Sequence, residues 1–154
     1  MAKVIDLDIG SGYTKCFDGD SRIIFPSIYA YRQPTIWEDA AETIEGVGER
    51  ALEIARYPNA IKLYPILDGK PQHGALLKLA KEAICRLKLD PSDAVYLVSG
   101  LPYETGKQER ERVKQTLKEN LSLSEIAVYL HSLGTLFDLD LDSATIINVG
   151  HGTT

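Results

Sequence analysis

Two glycine turns, each directly behind an apolar run, carry the residues of this 154-residue chain best suited to chemistry. The first reads Asp8-Ile9-Gly10-Ser11-Gly12-Tyr13-Thr14-Lys15, the second Asn148-Val149-Gly150-His151-Gly152-Thr153-Thr154. Glycine lets backbone N–H groups converge on an anion, which is how loops cradle phosphate. Lys15 adds a point charge for the same anion, and Asp8 at a strand end suits magnesium held through water. No Gly-x-x-x-x-Gly-Lys-Ser/Thr occurs, so neither turn is a P-loop. The first is no dinucleotide fingerprint either: Lys15 stands where a third glycine is required, and a strand follows instead of a helix. Either turn alone would serve as a plain hairpin. Both together, with Asp8 and Lys15, point to a phosphate clamp.

These turns need strands to hold them. Val4 to Ile9 reads as an apolar strand, Tyr13 to Phe17 as a second and Arg22 to Phe25 as a third, stopped at Pro26. Asp18-Gly19-Asp20 is the hairpin turn between the last two. The chain therefore opens with a three-stranded meander. Five prolines punctuate residues 26–71, which read as irregular apart from a short helix over Glu49 to Tyr57. From Gly74, the residues Leu76, Leu77, Ala80, Ala83, Ile84 and Leu87 recur at helical steps and make one buried stripe. Ala94 to Val98 is a strand ended by Gly100-Leu101-Pro102. Thr105 and Gln108 have capping-box spacing for a helix whose narrow core face is Val113, Leu117 and Leu121. A strand over Ile126 to Leu130, a short helix around Leu133 to Phe137 and a last strand over Ala144 to Val149 complete the reading. Strands first, then strands alternating with helices, predict an α/β domain with a mixed sheet.

Composition narrows the setting. Seventeen Lys and Arg against 22 Asp and Glu give a net charge of −5, with no basic tract for a nucleic-acid backbone. Cys16 and Cys85 lack metal-ligand spacing and read as reduced thiols of a cytoplasmic protein. Asp6 interrupts the N-terminus before a signal-peptide core, and no apolar run approaches the ~20 residues of a membrane span. The length fits one domain, residues 1–154.

Asp8-x-Gly10-Ser11-Gly12-x-x-Lys15 resembles the first phosphate loop of the actin-like ATPases, within the actin, Hsp70 and sugar-kinase superfamily. Gly150-x-Gly152-Thr153-Thr154 is similar to their second. Between them, Phe25-Pro26-Ser27, Val47-Gly48-Glu49-Arg50-Ala51 and Val98-Ser99-Gly100-Leu101-Pro102 resemble the ParM-type and archaeal actin-like branch. The resemblance implies an actin-like, ribonuclease H-like domain whose mixed sheet is flanked by helices. It implies that Ser11, Gly12 and Lys15 hold the β- and γ-phosphates of ATP, with Gly10 and Tyr13 in the same turn. Asp8 would bind the hydration shell of Mg2+, and Gly150, Gly152 and Thr153 would form the opposing turn. His131, 17 residues before Asn148, falls near where the family carries a Gln or Glu that orients the attacking water. An imidazole can do that work, although a histidine at a strand end also occurs without it. His73 and His151 read as ordinary histidines, although His151 falls inside the second loop and joins its candidate set.

Two departures from the family pattern matter. Asn148 stands where the family usually has Asp; an amide accepts a hydrogen bond from metal-bound water but brings no charge, which weakens catalysis more than binding. The superfamily also clamps its nucleotide between two related domains, and only the first is recognised here. The resemblance thus implies the N-terminal half of a filament-forming ATPase, serving DNA segregation or the cytoskeleton and active once completed by a second domain or chain. The alternative is a non-catalytic interaction module of the same fold, a homodimer or one member of a complex. A small-metabolite kinase is a weaker third reading.

Overall fold

The computed structural model describes residues 2–38, 42–102 and 104–131. Its framework is a five-stranded sheet of β1 (Ala2–Ile9), β2 (Tyr13–Phe17), β3 (Arg22–Pro26), β9 (Ala94–Leu101) and β10 (Glu125–Leu130), in the order β10-β9-β1-β2-β3. β1 pairs antiparallel with β2 and parallel with β9, and β9 runs parallel to β10. The sheet is mixed, as expected, and it opens with the meander.

Alternation along β1 explains both faces. Ile5, Leu7 and Ile9 point to one side and are buried, while Asp6 and Asp8 point to the other. Val95, Leu97 and Leu101 of β9 and Ile126 of β10 join the apolar side. Two helices cover it: α2 (His73–Leu87), with Leu76, Leu79, Ala80, Ala83 and Leu87, and α3 (Lys107–Asn120), with only Val113 and Leu117. Each fully buried Leu or Ile is worth about 1.5–3 kcal/mol, so this cluster dominates the stability of the domain. α2 closes at Lys88, a non-glycine residue in the left-handed conformation at φ 52°.

The region expected to be irregular is not. β4 (Tyr29–Arg32), β5 (Ile44–Val47) and β6 (Ile61–Leu63) form a second, antiparallel sheet in the order β5-β4-β6, backed by α1 (Glu49–Ile54). The prolines punctuate its connections and leave the strands themselves intact: Pro34 follows β4, Pro58 follows α1 and Pro65 follows β6. β7 (Ile66–Leu67) and β8 (Lys70–Pro71) then make a miniature hairpin. Its turn residues Asp68 and Gly69 have φ of 50° and 71°, the geometry for which Asp-Gly is suited. α1 is shorter than the helix read from the sequence, because the chain turns at Ala55 to Tyr57 before reaching Pro58.

The capping box does not form. α3 starts one residue later, with Gly106 at its N-cap and no side-chain cap. Thr105 is buried with its hydroxyl unpartnered among the described residues. Glu109, which falls at the third helical position, turns instead to His73, its Oε1 lying 2.7 Å from Nε2. Leu121, expected on the buried stripe, does pack against the main cluster, but from the extended C-cap of α3, and β9 runs on through Gly100 to Leu101 instead of ending before it. The helix expected at 133–137 and the strand expected at 144–149 lie outside the described residues.

Candidate functional site

The first glycine turn joins β1 to β2 at the end of the sheet. Gly10 N–H closes it by donating to the Tyr13 carbonyl at 3.1 Å. From below, Ser27 N–H donates to the Gly12 carbonyl at 2.9 Å, and the buried hydroxyls of Thr14 and Ser27 meet at 2.8 Å. The turn is thus pinned to the end of β3 by a residue of the Phe25-Pro26-Ser27 motif. Cys16, on the same buried side, has its thiol pushed up to about 12 by burial, then by the charges of Asp6 and Asp18. It is an inert core residue.

On the open side, Tyr13, Lys15 and Phe17 alternate outward from β2. Lys15 sits directly opposite Asp8 in the antiparallel register, and its Nζ donates to Asp8 Oδ2 at 3.0 Å. The other carboxylate oxygen, Oδ1, lies 3.3 Å from His131 Nε2. That ring nitrogen is buried, and its approach is not aligned as a hydrogen bond among the described residues. Asp8 therefore bridges a lysine seven residues away and a histidine at the far end of the described chain. Asp6, one pleat back on the same face, has its carboxyl raised, first by desolvation and then by Asp8, with His131 pulling the other way.

Sequence reasoning placed Asp8, Gly10, Ser11, Gly12, Tyr13, Lys15 and His131 at one site, and the fold does bring them to the same end of one sheet. It missed Gly100. His131 reaches Asp8 by crossing β9 in the order β10-β9-β1, and Gly100 is the residue it crosses: a Cβ there would lie 2.2 Å from His131 Cδ2. Ser99 beside it donates from Oγ to the Leu7 carbonyl at 2.8 Å, tying β9 to β1. In Val98-Ser99-Gly100-Leu101-Pro102, serine holds the strands together and glycine makes room for the ring. The sequence signal was a glycine inside a strand, a mark of close approach. His73, read from the sequence as an ordinary histidine, is bonded to Glu109 and lies 3.2 Å from Thr116 Oγ1, joining α2 to α3 away from this site.

Asn148, Gly150, His151, Gly152 and Thr153, expected to form the opposing turn, lie outside the described residues. No group of three or more His, Cys, Asp or Glu among the described residues is disposed to hold a metal ion. One carboxylate beside a lysine at a strand end fits magnesium differently, as a contact to its bound water, since that ion keeps several waters and takes its remaining ligands from phosphate.

An α/β lobe of a mixed five-stranded sheet beside a small antiparallel one, with an acidic residue, a lysine and a glycine turn at one strand end, is a recognisable class of domain. The family described as Actin like proteins N terminal domain matches residues 7–125, and the chain belongs to it. No curated protein matches the sequence. Among solved structures, a MamK double helical filament superposes with a TM-score of 0.75 at 17% identity, covering 91% of this chain and 44% of that one. A non-polymerising MamK mutant bound to AMPPNP gives 0.75 at 16%, covering 90% and 44%. MreB5 of Spiroplasma citri bound to ADP gives 0.70 at 18%, covering 92% and 42%. At these identities the likeness shows the actin-like fold, and the chain spans less than half the length of those proteins.

Proposed function

We propose that this chain is the N-terminal, nucleotide-binding lobe of an actin-like ATPase that self-associates into filaments in the cytoplasm. The observation that carries this reading is the meeting of Asp8, Lys15 and His131 at the mouth of the first glycine turn. In it, Ser11, Gly12 and Lys15 take the β- and γ-phosphates of ATP, with Gly10 and Tyr13 completing the turn. Gly150, His151, Gly152 and Thr153 supply the facing loop. Lys15 exchanges its bond to Asp8 for phosphate, which frees the carboxylate toward the water shell of Mg2+. The metal, when bound, neutralises charge on the phosphates. His131, held over Gly100 and beside Asp8, aligns the attacking water, and Asn148 contributes a polar contact without charge. The bound nucleotides of the MamK mutant and of MreB5, and the filament of MamK, support the reading.

The work of such a site is positioning and charge compensation, so it needs a second lobe to close over the nucleotide. Mg-ATP affinity and turnover, measured on the chain alone and mixed with a protein supplying that lobe, test this. Binding that falls at least about tenfold in Lys15→Ala supports it; absence of binding in both preparations removes it. Asn148 favours a second reading, a non-catalytic module of the same fold whose association ignores nucleotide.

A further inference from the structure

Acids outnumber bases on this chain, 22 to 17, yet one hollow reverses the balance. Between α2 and the β4–β5 pair lies an open cavity of about 420 Å³, lined by Arg50 of α1 and by Lys78, Lys81 and Arg86 of α2. Among the described residues, Glu45 and Glu82 are the acids on its wall. Both are already matched. Lys78 Nζ donates to both carboxylate oxygens of Glu45 at 2.9 Å, and Tyr29 donates its hydroxyl to the same carboxylate. Arg86 donates from Nε to Glu82 at 2.8 Å. What is left over is cationic. Among the described residues Lys81 makes no ion pair, and Arg50 donates only its Nε, to the Glu45 carbonyl at 3.2 Å.

Arg50 is held in this position by the strand beneath it. A Cβ at Gly46 would lie 2.6 Å from Arg50 Cγ, so the arginine stem rests on the β5 backbone where that strand has no side chain. The stem is fixed, and the terminal nitrogens of the guanidinium stay available. The rest of the wall is apolar: Val47, packed on the main cluster, and the ring of Tyr29. These properties define an occupant. An arginine fork beside a lysine matches a tetrahedral oxyanion, the fork gripping two oxygens and the ammonium supplying a point charge. Two uncompensated positive charges suit a phosphate monoester, which carries a charge of about −1.5 to −2 near neutrality. A single carboxylate would leave one cation unmatched. Small-molecule sites span about 300–1,000 Å³, and the apolar wall calls for an organic body behind the phosphate.

We infer that this cavity binds a small organic phosphate monoester, its phosphate on Arg50 and Lys81 and its apolar body against Val47 and Tyr29. Such a ligand bridges α1 and α2 and so fixes the small sheet against the main one. Asp8, Lys15 and His131 are not on the cavity wall, so the inference stands or falls independently of the proposed function.

Phenyl phosphate serves as the probe, titrated into the full chain without nucleotide and followed by the NMR shifts of Val47 and by alkylation of Cys85 with iodoacetamide. Cys85 is an exposed thiol on the cavity wall, whereas Cys16 is buried, so alkylation reports on this cavity. The expected result is saturable binding that slows Cys85 alkylation several-fold. Its affinity should exceed that of inorganic phosphate, which lacks the ring, and of benzoate, which lacks the dianion, by at least about tenfold each. Lys81→Glu should weaken it at least about tenfold, and Arg50→Lys, which keeps charge but loses the fork, several-fold. Both side chains are exposed, so neither change threatens the fold. Absence of saturable binding, equal affinity for inorganic phosphate, or unchanged affinity in both variants would overturn the inference. Loss of binding in Lys15→Ala would place the phosphate at the glycine turn and overturn it too. A phosphotyrosyl peptide bound at least about tenfold tighter than phenyl phosphate would assign the cavity to a protein partner, with the same consequence.

Discussion

The five-stranded and the three-stranded sheet of this domain are held by different forces. The five-stranded sheet rests on a large apolar cluster shared by β1, β9, β10, α2 and α3. The three-stranded sheet has a small one, Ile28, Ala30, Ala51 and Ile54, and joins the rest through Val47 of β5, packed on the main cluster, and through a set of ion pairs. Arg86 of α2 reaches Glu49 of α1 at 2.8 Å while lying 4.4 Å from the Phe25 ring, and Lys78 of α2 reaches Glu45 of β5. Tyr29 donates to that same Glu45, and its phenol is pushed up to about 12 by burial and by that carboxylate. Hydrophobic packing is not weakened by charge screening and carries no group to titrate, whereas exposed ion pairs are screened by salt. The main sheet is therefore the rigid base on which the Asp8 site is fixed, and the small sheet an attachment whose seating responds to solution conditions.

The largest effect should come from breaking the base. Leu79→Ala removes a fully buried side chain between α2 and the sheet and should cost about 2–5 kcal/mol in denaturant titrations. Global unfolding with a single transition is expected. If the three-stranded sheet keeps its own unfolding midpoint while the five-stranded sheet is weakened, the small sheet does not depend on that base.

Gly100→Ala should come next, at about 1–3 kcal/mol, since the new methyl group occupies the His131 ring position. His131 would be displaced from Asp8, so the NMR chemical shifts of its ring should lose their sensitivity to Asp8→Asn. An unchanged coupling between those two residues would show that the ring does not depend on the glycine.

A smaller effect sharpens the charged side of the comparison. The Arg32 guanidinium holds the Glu38 carboxyl down to about 2, against an ordinary value near 4.5. A carboxylate depressed on folding contributes stability that is complete above its unfolded value and is lost as pH falls through the folded one. The Arg32–Glu38 pair should therefore loosen between about pH 4.5 and 2. Limited proteolysis of the β4–β5 loop by an acid protease should accelerate across that window in the parent and be fast throughout in Glu38→Gln.

The smallest effect concerns Asp6, whose carboxyl is raised by desolvation and by Asp8. Its sign is opposite: stability is full below the unfolded value and declines as pH rises through the folded one. Asp6→Asn should therefore raise the midpoint of thermal unfolding slightly at neutral pH and leave it unchanged in acid.

Much of the rigid base was legible in the sequence, because long elements repeat their pattern. The β1–β2 turn, the α2 stripe and the strand before Pro102 announced themselves by period and by glycine. The small sheet did not, since strands of three or four residues offer no more than two buried positions each, too few for alternation to rise above chance. Thr105 and Gln108 matched a capping rule by spacing alone; the helix begins one residue later, and the bond from Glu109 in its first turn to His73 depends on how α2 meets α3, which no local pattern records. His131 was legible only as a candidate near a strand end. Its proximity to Asp8 depends on strand order, and Gly100 gained its meaning from the same crossing. The second glycine turn remains an expectation from sequence.

The place of His131 also bears on the order in which the site comes into being. Asp8 and Lys15 belong to one hairpin and meet across a sequence separation of only seven. His131 must wait for β10 to add to β9 in parallel, a pairing that closes a much longer stretch of chain and forms more slowly. A register slip of one residue in that last strand would carry the ring to the opposite face, toward the helices. The lysine bridge is therefore a property of a local hairpin. The histidine contact is a checkpoint, made only when the outer strand of the sheet has been laid down in its correct frame.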